Sequence, residues 1–312
     1  MDRSTPAGEL RCEGIAKVYE DGKRALSSVS FAIPTRGIFA LIGRNGAGKT
    51  TLTRILSTLL EPSSGRATID GLDIMKDEPR LRERMAVVPQ EGRAVPWMSP
   101  VQMITSYLLW RGMGYREART KARKAVGLVG LGDHADKMNR RLSGGMKRKT
   151  MVAMVIASGA DLIFLDEPST GLDPISRKEL WDLLVELGRE RFLFITTHYL
   201  EEAEAIADRI GILNDGNLLA SGTMDELRSM MRYDHVLRAP AGTDLPPVPG
   251  ETMVGQDGHM QVMTDREGSM LLSRHLIERD VEFSVNQVTL DDIFYRLVGE
   301  ELDSGAEGGE KD

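Results

Sequence analysis

Apolar positions recur with two different periods along this chain. Continuous apolar runs end at Ile42, Val88, Leu165 and Ile195, among them IFALI over Ile38 to Ile42, the first part of LIFLDEP over Leu162 to Pro168, and FLFIT over Phe192 to Thr196. Short unbroken runs are buried strands. With helical stretches between them, they predict a mostly parallel sheet whose ligands lie at the strand carboxyl ends. Residues 10 to 33 alternate instead, most clearly at Val29, Phe31 and Ile33, and Arg66 to Asp70 adds a short strand, so an antiparallel layer is expected beside the parallel sheet. From about Pro96 to Ser158 the period is helical. Ser99, Pro100 and Gln102 make a capping-box start, and Val101, Ile104, Leu108 and Val126 to Leu131 supply apolar faces. The character changes after about Met231. A hairpin is predicted over Glu251 to Thr264 around Asp257-Gly258, then a helix over Ser269 to Arg279 and a strand over Val281 to Val285. A helix capped by Thr289 and Asp292 follows, with Leu290, Ile293, Phe294 and Leu297 on one face. The expected organisation is a domain over 1–230 with a helical subdomain at about 96–158, an α/β appendage over 231–300, and a disordered, glycine-rich acidic tail over 301–312.

Chemistry enters at GRNGAGKTT, which comprises Gly43, Arg44, Asn45, Gly46, Ala47, Gly48, Lys49, Thr50 and Thr51. It lies between the IFALI strand and the helical run Leu52 to Leu60. Glycines at 43, 46 and 48 let the backbone curl so that successive N–H groups and a helix N-terminus point at one phosphate chain. Lys49 then reaches the β/γ-phosphates and the Thr50 hydroxyl ligates magnesium. LSGGM, Leu142 to Met146, opens a second helix with Ser143, Gly144 and Gly145 at its start, which is a second anion site. Alone it reads as an ordinary loop; its place shortly before LIFLDEP gives it weight. LIFLDEP ends in adjacent carboxylates, and strand alternation sends them apart: Asp166 toward magnesium, Glu167 toward the water that attacks the γ-phosphate. His198 closes the FLFIT strand, where a donor to the γ-phosphate is wanted, although a lone histidine is more often structural.

The order of Gly43 to Thr51, Gln90, Leu142 to Met146, Leu162 to Pro168, Ser169 to Asp173 and His198 resembles the ATP-binding subunit of an ABC transporter over roughly the first 228 residues. The resemblance implies an α/β fold: a P-loop NTPase core with a mostly parallel sheet, an antiparallel β layer and an inserted helical subdomain. It implies ATP and Mg2+ as ligands. Tyr19 is then the aromatic that stacks on adenine, although a tyrosine at a strand end packs as readily, and Gln90 touches magnesium and the attacking water. Two subunits, in a homodimer, meet head to tail, so that Ser143, Gly144 and Gly145 of one cover the ATP of the other and Asp173 joins the two sites. Met146 stands where the commonest family form has glutamine, and Lys147, Arg148 and Lys149 follow. This Met-plus-basic form resembles the exporter branch of drug, lipid and polysaccharide transporters, whose members also carry a C-terminal extension; the basic trio reads equally as a solvated helix face. In the family the helical subdomain receives cytoplasmic helices of the permease. Trp97, Met98, Tyr107 and Trp110 suit that groove or the subdomain's own core.

Composition narrows the partners. A net charge of −7 argues against a nucleic-acid binder, because phosphate neutralisation needs a basic surface. Cys12 is the single cysteine, so an intrachain disulfide and a thiolate metal cluster are excluded. The N-terminus MDRSTPAGELR lacks the apolar core of a secretion signal, and no run of eighteen apolar residues occurs. The expectation is therefore a peripheral protein on the cytoplasmic face of the cell membrane, driven by ATP hydrolysis and working on a multi-span permease carried by a separate chain. A non-transport ABC ATPase of translation or DNA repair usually has two such domains or a long insertion. A non-hydrolysing sensor would not need Lys49, Gln90, Glu167 and His198 together, and import is disfavoured by the Met146 form.

Overall fold

The computed structural model describes residues 8–254 and 259–306, in two compact units that divide between Ser221 and Gly222. The first unit contains, in chain order, β1 (Glu9–Val18), β2 (Arg24–Pro34), β3 (Gly37–Ile42), α1 (Lys49–Leu56), β4 (Ser64–Ile69), β5 (Leu72–Asp73), α2 (Glu78–Arg84), β6 (Met85–Val88), α3 (Pro100–Trp110), α4 (Tyr115–Leu128), α5 (Gly144–Ser158), β7 (Leu162–Asp166), α6 (Pro174–Gly188), β8 (Phe192–Thr197), α7 (Leu200–Ile206), β9 (Arg209–Asn214) and β10 (Asn217–Gly222). One sheet has the order β2-β1-β4-β5 and is antiparallel throughout; the other has the order β10-β9-β3-β8-β7-β6, with β9 to β6 parallel. The predicted division into an antiparallel layer and a mostly parallel sheet is what the chain forms.

Alternation along the parallel strands divides the core in two. Phe39, Phe164 and Phe194 face the antiparallel sheet and α1, with ring centroids 5.2 and 5.6 Å apart. Ile38, Ile163, Leu165, Leu193 and Ile195 face the other way, into the helices α3 to α6. Each fully buried side chain of this size contributes about 1.5–3 kcal/mol relative to exposure. Both sides of the sheet are therefore covered, which is why its strands read as unbroken apolar runs. The Ser99 capping box forms as predicted at the start of α3, with Ser99 Oγ accepting from the Gln102 backbone.

The sheet register positions the site. Ile42 is level with Thr197, Asp166 with Thr196, and Val88 with Leu165. The chain therefore leaves β3, β6, β7 and β8 along one edge, delivering Gly43, Gln90, Glu167 and His198 to the same place.

The second unit contains α8 (Met224–Ser229), β11 (His235–Pro240), β12 (Gly250–Val254), β13 (His259–Thr264), α9 (Arg266–Glu278), β14 (Ser284–Gln287) and α10 (Leu290–Ala306). Its antiparallel sheet has the order β12-β13-β11-β14. Helix α8 belongs here, since Arg228 Nε donates to the carbonyl of Val288, so the division falls ahead of the boundary expected at 230. The strands of the predicted hairpin pair, but its turn at Asp257-Gly258 lies outside the described residues. The last strand starts at Ser284 and not at Val281. Asp280 turns the chain with a φ of 53°, and Val281 and Phe283 pack into the core with Leu237 and Leu272. On α10, Leu290, Ile293 and Phe294 are buried as expected, but Val298 takes the buried place expected of Leu297. This helix also continues through Glu301–Ala306, into the stretch expected to be disordered, while 307–312 lie outside the described residues.

Candidate functional site

The loop after β3 is shaped by contacts that only glycine permits. Gly48 has φ 106°, and a Cβ there would lie 2.5 Å from the Ala25 carbonyl oxygen; at Gly43 a Cβ would lie 2.2 Å from that of Leu213. The loop is thereby pressed against β2 and β9 and ends at the N-terminus of α1, whose first turn has no side-chain cap. Free N–H groups and the positive end of the helix dipole are left for an anion. Lys49, 5% exposed, donates from Nζ to the carbonyls of Gly43 (2.8 Å) and Arg44 (3.0 Å). Burial pushes its pKa down, opposed by the charges of Glu167 and Asp166.

A cleft of about 570 Å3 opens over this loop, lined by Tyr19, Lys23, Asn45, Gly46, Gly48, Lys49, Thr50, Thr51, Gln90, Glu167, Thr170 and His198. At its centre Glu167 is 6% exposed. Its Oε1 lies 4.0 Å from Lys49 Nζ and 3.2 Å from His198 Nδ1, the latter without hydrogen-bond alignment. Its Oε2 accepts from Gln90 Nε2 at 3.3 Å and from Thr170 Oγ1 at 3.1 Å. Thr50 Oγ1 donates to Gln90 Oε1 at 3.4 Å. Asp166 is 2% exposed and accepts from the Thr196 hydroxyl. The two carboxylates diverge for a reason other than strand alternation: β7 ends at Asp166, and Glu167 takes φ 50°. For a residue with a side chain this costs about 1–3 kcal/mol and persists only where neighbours fix it.

Tyr19 is half-buried at the rim, its hydroxyl 3.1 Å from Thr51 Oγ1 and Lys17 Nζ 5.7 Å from its ring centre. Gly43, Arg44 and Ala47 belong to the loop but do not line the cleft. Ser143, Gly144, Gly145 and Asp173 lie elsewhere on the same chain. Ser143 and Gly144 are exposed, and Ser143 Oγ caps α5 by accepting from the Met146 backbone. Asp173 is exposed and caps α6, accepting from the Ser176 backbone at 3.0 Å, which lowers its pKa. The basic trio is not a solvated face: Arg148 and Lys149 are each 9% exposed, and Lys149 pairs with Glu179 at 2.8 Å. Trp97 and Trp110 are 71% and 91% exposed, whereas Met98 and Tyr107 pack against the helical core.

Several residues around the site carry no motif. Glu202 is fully buried; one oxygen accepts from Ser169 and Thr197 and the other from Trp181 Nε1, at 2.9, 2.5 and 2.8 Å. It thereby joins the segment after Glu167 to the residue before His198. Tyr199 lies 4.1 Å from the His198 ring and beneath the Arg177 guanidinium at 4.4 Å. The available signal was helix phase, since Glu202 falls on the buried side of α7 with Ala203 and Ile206.

A glycine loop at a helix start, a buried lysine and two adjacent buried carboxylates at the end of one sheet strand define a P-loop nucleoside triphosphatase. The oxygen donors also suit magnesium, a hard cation that takes few protein ligands: Thr50 and Asp166 would hold it, with Gln90 beside them. Residues 26–170 match the family model described as ABC transporter. The chain is 32% identical to the daunorubicin/doxorubicin resistance ATP-binding protein DrrA of Streptomyces peucetius, over 96% of this chain and 94% of that one. It is 35% identical to the daunorubicin resistance ATP-binding protein DrrA3 of Streptomyces coeruleorubidus, over 94% and 96%. The fold is also that of the ATP-binding cassette MJ0796, a dimer in a post-hydrolysis state with ADP and phosphate, at TM-score 0.64 and 23% identity over 69% of this chain and 98% of that one. The chain belongs to the ATP-binding subunits of ABC transporters, and it is an ATP-hydrolysing subunit of the exporter type.

Proposed function

We propose that two copies of this chain, meeting head to tail on the cytoplasmic face of a membrane, hydrolyse MgATP to drive a separate multi-span permease. The observation that carries this reading is Glu167, buried and held between Lys49, Gln90, Thr170 and His198. Lys49 and the N–H groups at the start of α1 hold the phosphates, and Tyr19 supports the base. Glu167 orients the attacking water and takes its proton, with Gln90 setting the carboxylate's direction and His198 donating toward the γ-phosphate. Thr50 and Asp166 would hold magnesium, which would supply charge neutralisation on the phosphate oxygens.

The segment Ser143 to Gly145, exposed at Ser143 and Gly144, does not line the cleft of its own chain, which supports its use against the nucleotide of a second copy, with Asp173 between the two sites. A permease on another chain completes the transporter in this reading; no helix among the described residues is long and apolar enough to cross a membrane. The exposed Trp97 and Trp110 mark the helical subdomain as its docking region. The names of the two relatives point to drug efflux as the kind of transport. The cleft residues named above all belong to the first unit, and the second unit is assigned to assembly or regulation.

Glu167→Gln tests the assignment. It keeps the shape of the side chain but neither orients nor deprotonates water, so ATP binding persists, turnover falls by a factor of about 100 or more, and ATP-bound dimers accumulate. Near-normal turnover in this variant overturns the reading.

A further inference from the structure

We infer that Arg148 is a positioning residue for hydrolysis: its guanidinium fixes the main chain of Glu167 and Gln90 in one arrangement and ties both to the helix that begins after Ser143. The inference rests on the proposed role of Glu167 as the base.

Arg148 lies one turn into α5 and points inward. Nε donates to the Pro168 carbonyl at 3.3 Å, and Nη1 to those of Pro89 at 3.1 Å and Gln90 at 3.5 Å. Nη2 donates to the carbonyl of Glu167 at 2.8 Å and to that of Asp166. All five acceptors are main-chain oxygens, and they come from the last residue of β7 and from the two segments that follow β6 and β7. A planar fork of five N–H donors matches this array; an ammonium, a single point with three donors, does not. Burial pushes the pKa of Arg148 down while Asp166 and Glu167 oppose it, so the cation is held among the site's own carboxylates.

Glu167 is the residue that needs such a clamp. Its φ of 50° is unfavourable for a side-chain-bearing residue. Its N–H donates to the Thr196 carbonyl and hydroxyl, each at 3.1 Å, and its carbonyl accepts from Arg148. Both ends of the peptide are thus fixed, one by β8 and the other by α5. The seating of α5 and the aim of Glu167 therefore change together. Since the start of α5 carries Ser143 and Gly144, any displacement there reaches the carboxylate through one side chain.

The test uses the full chain with Arg148→Lys, Arg148→Gln and Glu167→Gln, measuring kcat and KM for MgATP, ATP affinity by calorimetry, and thermal melting. Misplacing a reacting group by an ångström costs up to about 100-fold, so kcat falls about 10-fold or more in both Arg148 variants while ATP affinity stays within about threefold. Combining Arg148→Lys with Glu167→Gln lowers the residual turnover less than about twofold further, because both act on one step. Wild-type kcat in Arg148→Lys overturns the inference. So does a kcat loss matched by an equal loss of ATP affinity, or failure of both Arg148 variants to fold, since either assigns the residue to stability alone. Full turnover in Glu167→Gln refutes the assignment of the base; an inactive Glu167→Gln beside a fully active Arg148→Lys refutes only the clamp.

Discussion

Alanine placed at Gly48 and at Gly46 separates backbone strain from close packing within one loop. Both glycines have positive φ, 106° and 89°. At Gly46 a Cβ meets nothing within 4 Å, so Gly46→Ala costs only the left-handed conformation, about 1–2 kcal/mol. At Gly48 the same atom lies 2.5 Å from the Ala25 carbonyl oxygen and 2.8 Å from Leu26 Cδ2. The carbonyl belongs to β2 and cannot turn aside. Strain of about 1–3 kcal/mol is then joined by overpacking of about 1–3 kcal/mol. The total, roughly 2–6 kcal/mol, is a large part of the ~5–15 kcal/mol that holds a domain folded, and corresponds to a fall of roughly 5–20 °C in Tm. Urea and thermal unfolding of the nucleotide-free proteins measure both variants. Gly48→Ala within about 0.5 kcal/mol of wild type, or less stable Gly46→Ala than Gly48→Ala, refutes the claim that the loop is shaped by contact with β2.

Lys49→Ala removes the buried cation beside Glu167 and Asp166, so ATP affinity measured by calorimetry falls at least about 10-fold; unchanged affinity contradicts the phosphate-binding geometry. Ser143→Arg leaves ATP binding to the single chain within about threefold but prevents ATP-dependent dimers, which sedimentation detects; ATP-driven dimers in this variant overturn the head-to-tail reading. The pKa of Asp173 is depressed below its ordinary 3.8 by the Ser176 N–H. Its capping contribution is therefore complete above that value and is lost as pH falls through the lower, folded-state pKa. Asp173→Asn removes this part of the acid dependence, and an unchanged acid unfolding profile refutes it. A chain ending at Gly222 keeps β10 and every cleft residue, so it folds and binds ATP with unchanged affinity, whereas a well-folded truncation that has lost ATP shows the second unit to be part of the site.

What could be read from the sequence was what the backbone dictates locally. The strand, glycine loop and helix around Gly43 to Thr51 are specified by consecutive residues, and the unbroken apolar runs show which strands are covered on both sides. Arg148 was hidden because its acceptors are carbonyls of Pro89, Gln90 and Asp166 to Pro168, which converge only once β6 and β7 pair. In sequence it is one of three consecutive cations, and such a run normally faces water. A clue lay in its spacing from Met151, Val152 and Val155, a stripe of three and four residues that is buried throughout. Glu202 was hidden for the same reason, with Ser169, Trp181 and Thr197 arriving from three other segments. The divergence of Asp166 and Glu167 was expected from strand alternation, but a positive φ produces it, and no local residue pattern announces that. At the far end of the chain, Asp280 displaced β14 by turning the backbone where alternation alone continued the strand.

The bond from Trp181 to Glu202 gives the molecule an optical channel of its own. An indole that donates to a buried carboxylate emits differently from one in water, and the other two tryptophans, Trp97 and Trp110, stand largely in solvent. Iodide would quench those two first and leave the light of Trp181. Because the same carboxylate holds Ser169, just after Glu167, and Thr197, just before His198, the remaining emission would shift whenever these segments rearrange during a turnover. Stopped-flow fluorescence of the unlabelled chain could then time the movement of the strand ends separately from the release of phosphate.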